Sequence, residues 1–188
     1  MSAVADVLRI LRRVLDGQGL SWFVFGAQAV AVRGSPRATQ DVDVTVQVAP
    51  ARLGTLVQAL ESEGLTHRYP DIAEQLIERG AVVPLVHASG MEVDLVLAGS
   101  GLEALTLERA SRVAIDGVDV PVAQATDLAV MKVLAGRGKD LDDLRSLLAS
   151  GDVDLTEVRD ILGQLEEALG QSDLLPRLDD AVDSIDGD

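Results

Sequence analysis

The chain contains no cysteine. Disulfides and thiolate metal sites are therefore excluded, and cysteine usage leaves the redox compartment open. Aromatic residues make up only 2% of the chain, so the core must be built from Val, Leu, Ile and Ala. The two histidines, His67 and His87, stand isolated, and surface or loop positions account for both. No run approaches the ~20 apolar residues of a membrane span. The N-terminal stretch MSAVADVLRILRR has an early acidic residue and no long apolar core, unlike a secretory signal; the cytoplasm is the expected compartment. Basic residues are scarce as well, 16 Lys and Arg against 31 Asp and Glu, for a net charge of −15. That argues against a broad nucleic-acid surface, because phosphate contacts supply most non-specific affinity. It leaves room for a small basic site, and it suits either a basic partner protein or plain solubility.

What is present is a 188-residue chain with 47% hydrophobic content, enough for one domain with appendages. The most informative stretch is Phe23 to Val48, FVFGAQAVAVRGSPRATQDVDVTVQV. It reads as strand, glycine turn at Gly26, short helix over Ala27–Arg33, basic loop after Gly34-Ser35-Pro36, and strand. The last run alternates: Val42, Val44, Val46 and Val48 point one way, and Asp41, Asp43, Thr45 and Gln47 the other. Two carboxylates on one strand face repel unless something positive lies between them, and a divalent cation is the obvious candidate. The alternative is the solvated polar face of an edge strand. A helix N-terminus after Gly26 favours phosphate, and Arg37 and Thr39 extend the alternation with a charge and a hydroxyl.

The rest of the chain reads in order. Residues 3–17 form an amphipathic helix, and another follows Pro50 and closes at Gly64. Asp71-x-x-Glu74 suggests a capping box for a short helix ending near Gly80. Ala81–His87 and Met91–Leu97 read as a hairpin, with Pro84 marking the first arm as an edge strand. In the second arm Asp94 sits in an apolar run and needs a partner, either an arginine such as Arg37 or Arg109, or a metal. Leu102–Arg109 is a short helix. Ser111–Ile115 and Val118–Val122 form a hairpin around Asp116-Gly117. A helix over Asp127–Ala135, capped by Thr126 or Asp127, places Lys132 among small apolar neighbours, so that it either snorkels to water or points into a pocket. Asp143 is within reach of a surface pair with Lys139. Asp154-x-x-Glu157 caps a further helix, and a last short one precedes a frayed acidic tail, Asp183–Asp188.

Gly26-Ala27 after a strand, followed by Gly34-x-x-Arg37-x-Thr39-x-Asp41-x-Asp43, resembles the minimal nucleotidyltransferases of the DNA polymerase beta superfamily. It is most similar to the AbiEii branch, known as toxins of toxin–antitoxin and abortive-infection systems. That branch usually shows Gly-Gly or Gly-Ser at Gly26-Ala27, so a serine hydroxyl is missing while the backbone N–H groups remain. Leu128-x-x-x-Lys132, followed by Arg137-x-Lys139-Asp140-x-x-Asp143-Leu144, resembles the family's second signature. The resemblance implies an α/β fold, a small mixed sheet with flanking helices over residues 1–124, and a helical C-terminal part over 125–188 packed on it. It implies Asp41, Asp43 and Asp94 as ligands of two Mg²⁺ ions, with Glu92 next in line for the third carboxylate. It assigns the NTP phosphates to Gly26, Ala27, Arg37, Thr39 and Lys132, and a functional role to Asp140. The acceptor would be an RNA 3′ end or a protein, with an antitoxin as a further partner. A small-molecule acceptor of the aminoglycoside type is the alternative enzyme, and a catalytically silent fold that binds nucleotide or a partner is the alternative of another class.

Overall fold

The computed structural model describes residues 2–35, 39, 41–79 and 82–186. The elements are α1 (Ala3–Gly17), β1 (Trp22–Phe25), α2 (Gly26–Arg33), β2 (Asp41–Val46), α3 (Pro50–Ser62), β3 (Leu65–His67), α4 (Ala73–Arg79), β4 (Val82–His87), β5 (Glu92–Leu97), α5 (Gly101–Arg109), β6 (Ser111–Ile115), β7 (Val118–Val122), α6 (Ala125–Ala135), α7 (Gly138–Ser150), α8 (Leu155–Leu169) and α9 (Leu174–Asp186). This is a mixed α/β fold. It divides into two compact units, one of Met1–Gln28 and Ala38–Ala123, the other of Ala29–Arg37 and Gln124–Asp188.

The first unit holds a seven-stranded sheet in the order β3-β4-β5-β2-β1-β7-β6. The alternation in β2 buries Val42, Val44 and Val46 completely, and β5 does the same with Val93 and Leu95. Leu8, Leu11 and Leu15 of α1 and Leu53, Leu56 and Leu60 of α3 are buried too. Each such side chain contributes about 1.5–3 kcal/mol by leaving water. Ser2 caps α1, its hydroxyl accepting from the Ala5 N–H at 3.1 Å.

Several expectations are corrected here. β2 ends at Val46 rather than Val48, and its Thr45 is buried, so the polar face is only partly exposed. β2 pairs with β1 on one side and β5 on the other, which removes the reading of a solvated edge strand. β4 is not an edge strand either, because β3, unforeseen in the sequence, pairs along it. β3 stops at His67, opposite Leu85, so the ladder asks no N–H of Pro84. Pro84 instead accepts through its carbonyl from the Arg68 N–H at 2.9 Å. His67 therefore lies in a strand, with both ring nitrogens buried. Asp71-x-x-Glu74 forms no capping box; the segment opens as a 3-10 turn over Pro70–Ile72 with no side-chain cap.

The second unit packs α6, α7, α8 and α9 around Leu128, Val133, Leu144, Leu147, Val158, Leu162, Leu174 and Leu178. The N-cap of α6 is Gln124, without a side-chain cap, rather than Thr126 or Asp127. Thr126 instead accepts from the Asp154 N–H at 3.0 Å. α6 ends at Gly136, whose φ of +60° favours glycine. Arg177 Nη1 donates to the Val133 carbonyl at 2.5 Å, satisfying one of the acceptors that a helix end leaves open. Of the tail expected to fray, Asp183 to Asp186 are helical, since α9 continues to Asp186; Gly187 and Asp188 lie outside the described residues. Among the described residues no helix is long and apolar enough to cross a membrane.

Candidate active site

The sheet sets the first cluster. β2 and β5 run parallel in a register that puts Asp41 beside Glu92 and Asp43 beside Asp94. In-register neighbours on adjacent strands point to the same face, about 4.8 Å apart along the hydrogen-bond direction. Four carboxylates thus share one face of two central strands, with Phe25 of β1 beside Asp43. The opposite face is the buried Val42, Val44, Val93 and Leu95 layer, so a one-residue slip would bury the acids, and the register is strongly fixed.

Gly26 closes this face from the side of α2. Its φ is +65°, a conformation that costs other residues about 1–2 kcal/mol. A Cβ at this position would stand 1.8 Å from Asp43 Oδ2 and 2.6 Å from its Cγ. The backbone at the start of α2 therefore presses directly on the Asp43 carboxylate, and only a residue without a side chain permits it. Ala27 follows, buried, and Gln28 Nε2 reaches the Asp41 carbonyl at 3.5 Å. Thr39 donates its hydroxyl to Asp41 Oδ1. Arg37 lies outside the described residues.

Asp94 pairs with Arg68, which neither sequence motif singles out; the partners the sequence offers are an arginine such as Arg37 or Arg109, or a metal. Arg68 Nη1 donates to Glu92 at 2.8 Å and Nη2 donates to Asp94. The Arg68 side chain is 20% exposed, while those of Glu92 and Asp94 are 46% and 39% exposed. The guanidinium carbon also lies 5.9 Å from the ring centroid of Tyr69, within cation–π range. β3 has only three residues, too few for periodicity to place Arg68, and a lone arginine between His67 and Tyr69 carries no motif.

Hard divalent cations take carboxylate oxygens, and this face supplies them on two adjacent strands with Asp43 fixed by the Gly26 approach. The donor set fits such an ion. Among the described residues no three ligating side chains converge closely enough to hold one as they stand, and Arg68 engages the Asp94 carboxylate.

The second cluster belongs to the helical unit. Lys132 is buried on α6, and its Nζ lies 3.1 Å from Asp140 Oδ1 and 2.7 Å from Asp143 Oδ2. It neither snorkels nor points into open space. Asp143 is buried and pairs with Lys132, so the alternative of a surface pair with Lys139 is not the one adopted. Asp140 is fully buried and also accepts from Arg137 Nε at 2.5 Å. Burial alone would push the Asp140 carboxyl up; hydrogen bonds from Arg137 and Lys132, with their charges, outweigh it and hold it below the ordinary carboxylate range.

The fold is shared with solved nucleotidyltransferase-like structures. An antigenic nucleotidyltransferase-like protein from Paracoccidioides brasiliensis is 16% identical with a TM-score of 0.53, covering 95% of this chain and 94% of its own. The antibiotic-resistance factor ANT(2'')-Ia is 16% identical with a TM-score of 0.55, covering 90% and 95%. The lincosamide antibiotic adenylyltransferase LnuA, lincomycin-bound, is 14% identical with a TM-score of 0.50, covering 78% and 96%. At these identities the likeness is one of fold. Among curated proteins no sequence matches. A family model described as "Nucleotidyltransferase of unknown function (DUF6036)" matches residues 4–173, and with nearly the whole chain inside that match, the protein belongs to this nucleotidyltransferase family.

Proposed function

We propose that the protein transfers a nucleoside monophosphate from an NTP to an acceptor hydroxyl, with pyrophosphate leaving. The observation that carries this reading is the contact of Gly26 with Asp43, opposite Asp94: a phosphate-type backbone turn set against paired carboxylates. In this reading the acceptor oxygen bonds to the α-phosphorus, the bond to the β-phosphate oxygen breaks, and Asp94 takes the acceptor's proton. Gly26 and Ala27 offer backbone N–H groups to the triphosphate, and Arg37 neutralises its charge. Thr39 holds Asp41 in orientation through the hydroxyl it already donates.

Asp41, Asp43 and Asp94 would hold divalent ions, which we take to be two Mg²⁺; bound there, they supply charge neutralisation and an activated acceptor oxygen. The family resemblance gives Lys132 a phosphate contact, which requires it to leave Asp140 and Asp143. As it stands, Lys132 and Asp140 serve by tying α6 to the start of α7.

The branch resemblance favours an RNA 3′ end or a protein as acceptor, in a toxin paired with an antitoxin. A small-molecule acceptor is the second reading, because two proteins of similar fold are an antibiotic adenylyltransferase and an antibiotic-resistance factor. The test is incubation with each α-labelled NTP and Mg²⁺, with total RNA or a panel of lincosamides and aminoglycosides, beside an Asp41→Ala, Asp43→Ala double variant. Label on an acceptor with wild type alone supports transfer and names the acceptor class. No label under any condition, with NTP binding equal in the variant, sinks the reading and leaves a silent binding fold.

A further inference from the structure

The cation that meets Asp94 is supplied by the protein itself. Arg68 stands just past the edge strand β3, and its backbone N–H is fixed to the Pro84 carbonyl. Pro84 is the register partner of Asp94 across β4 and β5. Main chain and side chain of Arg68 therefore converge on the same point of the sheet. Its guanidinium bridges Glu92 and Asp94, which are two apart on β5 and so on one face. The segment after it is loosely attached: neither the 3-10 turn Pro70–Ile72 nor α4 buries any residue, and Tyr69 and Ile72 are exposed.

Resting on the metal reading of Asp41, Asp43 and Asp94, we propose that Arg68 is an internal counter-ion that competes with the divalent cation for Asp94. A carboxylate oxygen that accepts from a guanidinium has that lone pair engaged, so loading an ion requires Arg68 to give Asp94 up. Glu92, whose strand neighbour is Asp41, is the second anchor that keeps Arg68 nearby. Release of the guanidinium removes a tie that holds Arg68 to the sheet, and the weakly packed segment 68–79 loosens with it. Arg68 is thus a positioning residue: it keeps Asp94 oriented and charge-compensated until an ion takes its place.

The experiment is Mn²⁺ binding to the full chain without nucleotide, followed by electron paramagnetic resonance, with hydrogen exchange of peptides covering 68–79. Arg68→Gln is expected to bind Mn²⁺ about tenfold more tightly than wild type, the scale on which an adjacent charge shifts an ionic equilibrium. Arg68→Lys, which keeps the charge without the fork, is expected to fall between them. Arg13→Gln, which breaks an exposed pair between α1 and Glu63 just past α3, makes the same change in net charge and is expected to change nothing. In wild type, Mn²⁺ is expected to speed exchange in 68–79, a readout independent of how well any Arg68 variant folds. Mn²⁺ binding that is lost on Asp43→Asn, yet is unchanged or weaker in Arg68→Gln with exchange unchanged or slower, overturns the competition and leaves the metal site standing. Absence of binding to wild type, or binding that Asp43→Asn does not affect, removes the metal site and this proposal together.

Discussion

Two ionic clusters, Arg68 with Glu92 and Asp94 and Lys132 with Asp140 and Asp143, each set a basic side chain against two carboxylates and reach opposite states. On the sheet, Arg68 meets Glu92 and Asp94 at side chains that keep 20%, 46% and 39% of their exposure. In the helical unit, Lys132 meets Asp140 and Asp143 at 9%, 0% and 3%. Water competes for the first set and is excluded from the second. A half-exposed pair costs little to break because solvent takes over the freed charge; a buried pair that loses one member strands the other. The first cluster is therefore the easier to exchange, which suits the metal and triphosphate site proposed for it. The second is a fixed strut between α6 and α7.

The largest effect that separates them is expected on stability. Lys132→Met leaves Asp140 and Asp143 buried without their shared cation, and should cost about 3–5 kcal/mol in a denaturant titration. A loss under 1 kcal/mol would mean that the helical cluster is as exchangeable as the sheet cluster, and would revive direct phosphate contact by Lys132. Gly26→Ala comes next and acts on the other side of the comparison. The added Cβ would sit where Asp43 Oδ2 now lies, so the carboxylate must turn away. Nucleotidyl transfer should fall by about 100-fold, the penalty for displacing a catalytic group by roughly an ångström, while folding loses about 1–2 kcal/mol to the positive φ. Loss of stability without loss of transfer would remove Asp43 from the chemistry.

Titration sharpens the contrast. The Asp140 carboxyl is held below its ordinary value in the folded state. Its contribution to stability is therefore complete above the unfolded-state value, about 3.9, and is lost as pH falls through the depressed folded value. The stability difference between wild type and Asp140→Asn should be constant from pH 7 to 5 and shrink below about pH 4. The limiting slope for one group is about 1.4 kcal/mol per pH unit. A difference that persists to low pH would mean that the charge of Asp140 is not what the cluster uses.

Much of this was legible in the sequence, and for identifiable reasons. The alternation of Val42, Val44 and Val46 against Asp41 and Asp43 specified a strand with a buried face, and Asp116-Gly117 specified a hairpin, because both signals are local. Two features escaped because they are not. Helical spacing offers Asp143 a surface pair with Lys139, but α6 and α7 fold back so that Lys132 reaches it. Arg68 follows a strand of three residues that exists only because β4 offers it an edge; no pattern in the sequence could place its side chain on β5. Pro84 misled for the same reason. Its missing N–H argues for an edge only if the neighbouring strand is long enough to need it.

The smallest stability effect is the most direct comparison of the clusters. Asp94→Asn breaks the Arg68 pair at a half-exposed position, and Arg68 keeps Glu92 as a partner at 2.8 Å. Unfolding should therefore change by less than about 1 kcal/mol, several times less than for Lys132→Met, although each substitution removes one charge from an ion pair. Transfer activity should nonetheless be lost, because the variant keeps the fold and removes the proposed proton acceptor and metal ligand. Stability and activity would then respond in opposite order in the two clusters. If Asp94→Asn instead destabilises the protein by several kcal/mol, Arg68 and Asp94 form a structural pair like the one in the helices. The proposed metal site on the sheet face would then have to do without Asp94.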